Sequence, residues 1–113
     1  MPTEVIFMPP AKETYIYLRN NAHSKIERTL LRAIDRKIEI IKTNHRYGNP
    51  IAKILIPKEY EQKYEANNLF RVELPNFWRM LYTVKDKEIE IIAFILDIVN
   101  HKDYNKKFGY KKN

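Results

Sequence analysis

No cysteine occurs in the sequence, which excludes a disulfide framework, a thiolate zinc site and a cysteine nucleophile while leaving the compartment open. Glycine is nearly as scarce, with two residues in 113, and there is no low-complexity run or internal repeat. With 44% hydrophobic residues, the chain is expected to fold rather than remain disordered. No uninterrupted apolar run reaches membrane-spanning length, and "MPTEVIFMPP" lacks the charged and apolar regions of a signal peptide. The expectation is therefore a cytoplasmic protein with no membrane partner. The length suits one domain over residues 1–113, with 105–113 as a basic, flexible tail.

What the sequence has in excess is positive charge. Its formal net charge is +7, and residues 101–113 carry five lysines (Lys102, Lys106, Lys107, Lys111 and Lys112) against one acid, Asp103, a local net of +4. Such a cluster attracts polyanions, nucleic acid first and an acidic protein segment second. Lys106, Lys107, Lys111 and Lys112 are thus candidate RNA-binding residues. The plainer reading is a tail that aids solubility.

Residues 4–8, "EVIFM", read as a first strand, ended by Pro9 and Pro10, which pre-set the backbone for a helix. Ala11, Tyr15, Leu18 and Ala22 then recur at helical spacing. Ser24 and Glu27 form a capping box. It opens a helix expected over 25–43, whose apolar stripe is Ile26, Leu30, Ile34, Ile38 and Ile41. "NHRYGNP" (44–50) is turn chemistry in which Gly48 and Asn49 can take positive φ. His45 has no neighbour at metal-binding spacing and reads as a surface residue. Pro57 can begin a short helix bearing Ile56, Tyr60 and Tyr64 on one face.

From residue 68 the period becomes two. Phe70, Val72 and Leu74 alternate with Arg71 and Glu73; after the turn "LPNF", Trp78, Met80, Tyr82 and Val84 alternate with Arg79, Leu81 and Thr83. "KDKE" (85–88) reads as a hairpin turn. "IEIIAFILDIV" (89–99) is apolar on both parities, as in a central strand covered on both sides. Asp97 interrupts that run. A carboxylate there either lies at an exposed strand end or meets a cation, with Arg79 and Lys102 as the candidates.

The order strand, helix, helix, turn-rich connection and three-stranded meander, together with "LFRVEL", "FWRMLYTV" and "IVNHKDY", resembles the RelE/ParE toxin superfamily of type II toxin–antitoxin systems. Trp78, Arg79 and Tyr82 match its aromatic-Arg-x-x-Tyr strand, and His101, Lys102, Asp103 and Tyr104 are similar to its basic exit turn ending near a tyrosine. The resemblance covers residues 4–108. It implies an α+β fold of β-α-α-β-β-β order, a helical hairpin packed on a small, mainly antiparallel sheet.

It further implies a ribosome-dependent endoribonuclease that cuts messenger RNA with no metal or other cofactor. The partners implied are a cognate antitoxin, the ribosome and mRNA; a homodimer is compatible with them. In that chemistry a ribose 2′-hydroxyl attacks the adjacent phosphate, and cations held in place stabilise the charge that develops. Arg79, Arg71 and Lys102 are the candidate cations, His101 a candidate acid or base, and Tyr104 a candidate for orienting substrate or donating a proton. The plainer alternatives are that His101 ends a strand and Tyr104 covers the sheet edge. Glu73 stands where the family's ribonucleases often have a second basic residue, and it can act as a base or offset anion binding. Phe108 occupies another candidate position for the terminal tyrosine, with Tyr110 nearby. The ParE branch shares the fold, lacks the ribonuclease constellation and inhibits DNA gyrase, so a non-catalytic toxin or a basic nucleic-acid-binding module is the alternative.

Overall fold

The computed structural model describes residues 3–109. Strand β1 (Thr3–Phe7) leads through Met8 into α1 (Pro9–Asn21), which prolines start as expected. Helix α2 (Lys25–Thr43) begins at Ser24, whose hydroxyl accepts from the Glu27 amide while the Glu27 carboxylate accepts from the Ser24 amide. Both orphan donors are thereby satisfied at the N-terminus. Leu30, Ile34, Ile38 and Ile41 are buried along the inner stripe, each such side chain contributing about 1.5–3 kcal/mol by leaving water. Ile26, expected in the same stripe, is instead 58% exposed.

The remaining elements are β2 (Asn49–Pro50), α3 (Lys58–Tyr64), β3 (Phe70–Leu74), β4 (Trp78–Lys87), β5 (Glu90–Val99) and α4 (His101–Lys107). The five strands form one mixed sheet in the order β1-β5-β4-β3-β2. β1 lies parallel to β5, and the other pairs are antiparallel. β5 is thus an interior strand, flanked by β1 and β4 and covered on both faces as its continuous apolar run demands. β2, within the segment read as a turn, adds a short fifth strand. The β4–β5 turn falls at Glu88 and Ile89, and Lys85 to Lys87 continue the strand.

Two cores cover the two faces of the sheet. On one face α1 and α2 pack Leu18, Leu30, Ile34 and Ile41 against Val72, Met80, Tyr82 and Ile95. On the other, Leu69, Leu81, Leu96 and Val99 are covered by Ile56 and Tyr60 around α3 and by Tyr104 from α4. A shift between Leu81 and Tyr82 lets both Ile95 and Asp97 pair with consecutive residues of β4, leaving Leu96 as the extra residue of a bulge. Among the described residues no helix is long and apolar enough to cross a membrane.

Gly48 is required for a reason different from the expected positive φ, which neither it nor Asn49 adopts. It is buried against β3 and β4, where its amide donates to the Tyr82 hydroxyl at 2.9 Å, and that hydroxyl donates to the His45 carbonyl at 2.9 Å. A β-carbon at Gly48 would lie 3.0 Å from both Phe70 Cβ and Tyr82 Cε1. Gly48→Ala is expected to cost about 1–3 kcal/mol by overpacking, measured by urea denaturation. A loss below about 0.5 kcal/mol would show that the stacked Phe70 and Tyr82 rings yield without penalty.

Candidate functional site

The site is built where the second core meets the end of the sheet. In the β3–β4 ladder Glu73 lies directly opposite Arg79, and Arg71 opposite Leu81. Alternation puts Arg71, Glu73 and Arg79 on the face that α3 and α4 cover. Opposite Arg79 on its other side is Val99, the last residue of β5, so the chain leaves the sheet beside that arginine and turns at once into α4. Asn100 caps the helix, its side-chain oxygen accepting from the Asp103 amide at 2.8 Å. The segment expected as a basic turn is therefore helical, because Asn100 gives it an N-cap and Tyr104 and Phe108 give it an apolar face to bury.

That inner face carries His101, Tyr104, Asn105 and Phe108 at spacings of three and four residues. Tyr104, only 3% exposed, stacks on Phe108 with ring centroids 4.4 Å apart. Its hydroxyl accepts from Arg71 Nη1 at 3.1 Å, and the guanidinium carbons of Arg79 and Arg71 lie 4.6 Å and 5.9 Å from its ring centroid. Both arginines therefore meet on one tyrosine. Between them sits the half-exposed Glu73 carboxylate, with Oε1 2.9 Å from Arg71 Nε and Oε2 3.6 Å from Arg79 Nε. Arg79 Nη1 donates to the Phe77 carbonyl at 3.1 Å and contacts His101 Nδ1 at 3.0 Å. A guanidinium can only donate, so Nδ1 is the acceptor in that contact, and Nε2 lies 3.2 Å from Asn105 Nδ2.

No family model and no curated protein matches the sequence. Among solved structures, the chain is similar to a YoeB/ParE toxin from Agrobacterium tumefaciens, with a TM-score of 0.58 over 87% of this chain and 98% of that one, at 12% identity. The chain has the RelE/ParE-like toxin fold. At that identity the likeness concerns backbone architecture, and the RelE/ParE-like order of elements is the one the sequence motifs pointed to.

Within this RelE/ParE-like frame, the expected candidates divide into groups. Arg71, Arg79, His101 and Tyr104 come together. Lys102 is exposed on the outer side of α4. Lys106 is also exposed and borders a cleft of about 640 Å³ with Glu13, Glu59, Asp97 and Asp103. Lys107 turns away from the arginines, its ammonium 2.9 Å from Glu59 Oε1 and 3.4 Å from Asp97 Oδ2. Lys111, Lys112 and Tyr110 lie outside the described residues. Of the segment expected as a tail, residues 105–107 belong to α4 and Phe108 packs against the second core.

For Asp97 the exposed strand end is overturned, and the cationic partner is Lys107 in place of Arg79 or Lys102. Asp97 is 7% exposed and accepts from the Tyr60 hydroxyl at 2.6 Å, with Lys107 beside the same oxygen. Burial, reinforced by the Asp97 carboxylate, raises the Tyr60 pKa above the ordinary phenol value. Burial by itself lowers the pKa of Lys107, but hydrogen bonding to Glu59 and the charge of Asp97 outweigh it and raise it overall.

Sequence reasoning left the role of Glu73 open between base and spoiler, without the register that puts it between two arginines. It also passed over Phe77. The signal was present: an aromatic residue at the tip of a polar turn, two residues before Arg79. Among the described residues no group of three or more His, Asp or Glu side chains could hold a metal ion.

Proposed function

We propose that this chain is the toxin of a type II toxin–antitoxin system and acts as a ribosome-dependent mRNA endoribonuclease that needs no metal. The observation that carries the reading is the convergence of Arg71 and Arg79 on Tyr104, with a carboxylate and an imidazole in the same cluster. A phosphodiester brought to the pair exchanges part of the Glu73 contact for its own oxygens, and two planar forks engage it. The freed carboxylate takes the proton of the 2′-hydroxyl as that oxygen bonds to phosphorus. As Arg79 shifts to the phosphoryl group, His101 Nδ1 is released to take up a proton from water, and the imidazolium then donates to the 5′-oxygen as its bond to phosphorus breaks, Glu73 returning its proton to solvent once the products leave. Tyr104 serves as the platform that keeps both guanidinium groups together through that exchange, so that their charge is in place before the transition state is reached.

In this reading the partners are the translating ribosome with its message and an antitoxin whose acidic segment complements the net charge of +7. The competing reading, a gyrase-inhibiting toxin, draws on Glu73, which in the resting cluster already offsets the cationic pair. Inducible expression separates the two. Ribonuclease action is expected to fragment translated messages within minutes of growth arrest, leaving 2′,3′-cyclic phosphate and 5′-hydroxyl ends. Intact transcripts with altered plasmid supercoiling would overturn it in favour of gyrase inhibition.

A further inference from the structure

Phe77 is the anomaly of the site. It belongs to neither core and is 73% exposed, at the last position of the Pro75–Phe77 link between β3 and β4. Its φ is 62°, and that of Asn76 before it is 60°. Asparagine tolerates the left-handed region; a bulky aromatic residue does so at a cost, and glycine is the usual occupant. The turn thus holds a large apolar side chain in a strained backbone and gains little burial from it. Strain of this kind is retained where it positions something.

What Phe77 borders is specific. Its carbonyl accepts from Arg79 Nη1 at 3.1 Å, and its ring lies 6.0 Å from the His101 ring, tilted by 58°. An exposed aromatic ring therefore lies beside His101, on the residue whose backbone carbonyl holds Arg79. We propose that Phe77 is a stacking platform for the nucleobase adjoining the phosphate that Arg71 and Arg79 engage, an inference that rests on the ribonuclease reading. The occupant follows from the linkage of the two features. A nucleotide joins an anion to a flat π-system across one sugar, so a phosphate on the guanidinium groups brings its base toward the neighbouring ring. A phenyl ring offers no hydrogen bond to a base edge, so the contact tolerates any base and supports placement rather than sequence choice.

The test uses the full chain in a translation reaction programmed with a defined message, comparing Phe77→Ala, Phe77→Leu, Phe77→Trp and Phe77→Gly. Alanine and leucine are expected to lower kcat/KM roughly ten- to hundredfold, the scale of one lost base–aromatic stack, mainly through apparent KM. Tryptophan is expected to stay within a few-fold of wild type. Glycine is expected to lose activity like alanine while melting no lower than wild type, since it releases the backbone strain. Leucine at the wild-type rate, tryptophan as impaired as alanine, or a Phe77→Gly melting point lower by more than a few degrees would each overturn the stacking role. Full cleavage by wild type and leucine alike removes this inference alone; no cleavage by wild type removes the ribonuclease reading together with it.

Discussion

Replacing Arg79 by alanine is expected to slow transcript cleavage on translating ribosomes by roughly 10²–10³-fold, the usual consequence of deleting one preorganised charge donor from a transition-state site. Few side chains in the cluster are held by as many neighbours. Arg79 is 13% exposed at the side chain, lies over the Tyr104 ring, donates to the Phe77 carbonyl and meets His101 Nδ1. Its loss removes charge from the phosphoryl oxygens and releases the imidazole from its orientation. Arg79→Lys keeps the charge without the planar fork and should fall between the two. Ribosome binding should remain largely intact, and the melting temperature of each variant guards against mistaking unfolding for lost chemistry. Cleavage by Arg79→Ala at the wild-type rate would reject the catalytic assignment.

The largest effect on stability is expected from Asp97→Ala, at about 2–4 kcal/mol. The Tyr60 hydroxyl, deep in the second core, then has its 2.6 Å acceptor removed. Lys107 retains Glu59 and is partly solvated, which keeps the loss below that of a fully sealed pair. Urea denaturation gives the number, and a cost under about 0.5 kcal/mol would mean that water replaces the carboxylate freely. The double variant Tyr60→Phe with Asp97→Leu should recover part of the loss, because it removes donor and acceptor together.

The same pair sets a pH dependence. Tyr60 and Lys107 have folded pKa values raised above their ordinary values of 10.0 and 10.5. In the alkaline range the unfolded chain therefore releases these protons while the folded chain keeps them. Their stabilisation is complete below about pH 10 and declines as pH rises further. Tyr60→Phe should make that decline shallower in denaturation measured from pH 8 to 11.

How much of this was legible in the sequence depended on how local the cause was. The α2 boundaries follow from Ser24, Glu27 and a four-turn stripe, all contained within one segment, and the structure gives Lys25–Thr43. The alternation around Arg71, Glu73 and Arg79 was readable for the same reason. The partners of Asp97 were not: Tyr60 is 37 residues away, and the bulge at Leu96 changes which side chains face α3. Gly48 announces a turn, yet its smallness serves Phe70 and Tyr82, more than twenty residues on. Helix α4 looked like a basic loop because its lysines dominate the composition, whereas Tyr104 and Phe108 decide its packing. In the candidate site the residue types were visible, but their meeting point, the Tyr104 ring, depends on the β4–β5 register and the cap at Asn100.

The placement of β5 also bears on when the molecule can fold. Its neighbours, β1 at residues 3–7 and β4 at 78–87, are both synthesised before it, and neither can pair with it until residues 90–99 emerge from the ribosome. Folding in order of synthesis is therefore denied to β1, which waits for its parallel mate until residues 90–99 have been made, and loop closure over that span makes the step slow. The nascent chain must meanwhile carry Val5, Ile6 and Phe7 unpaired, a stretch on which chaperones or aggregation can act before the last strand arrives.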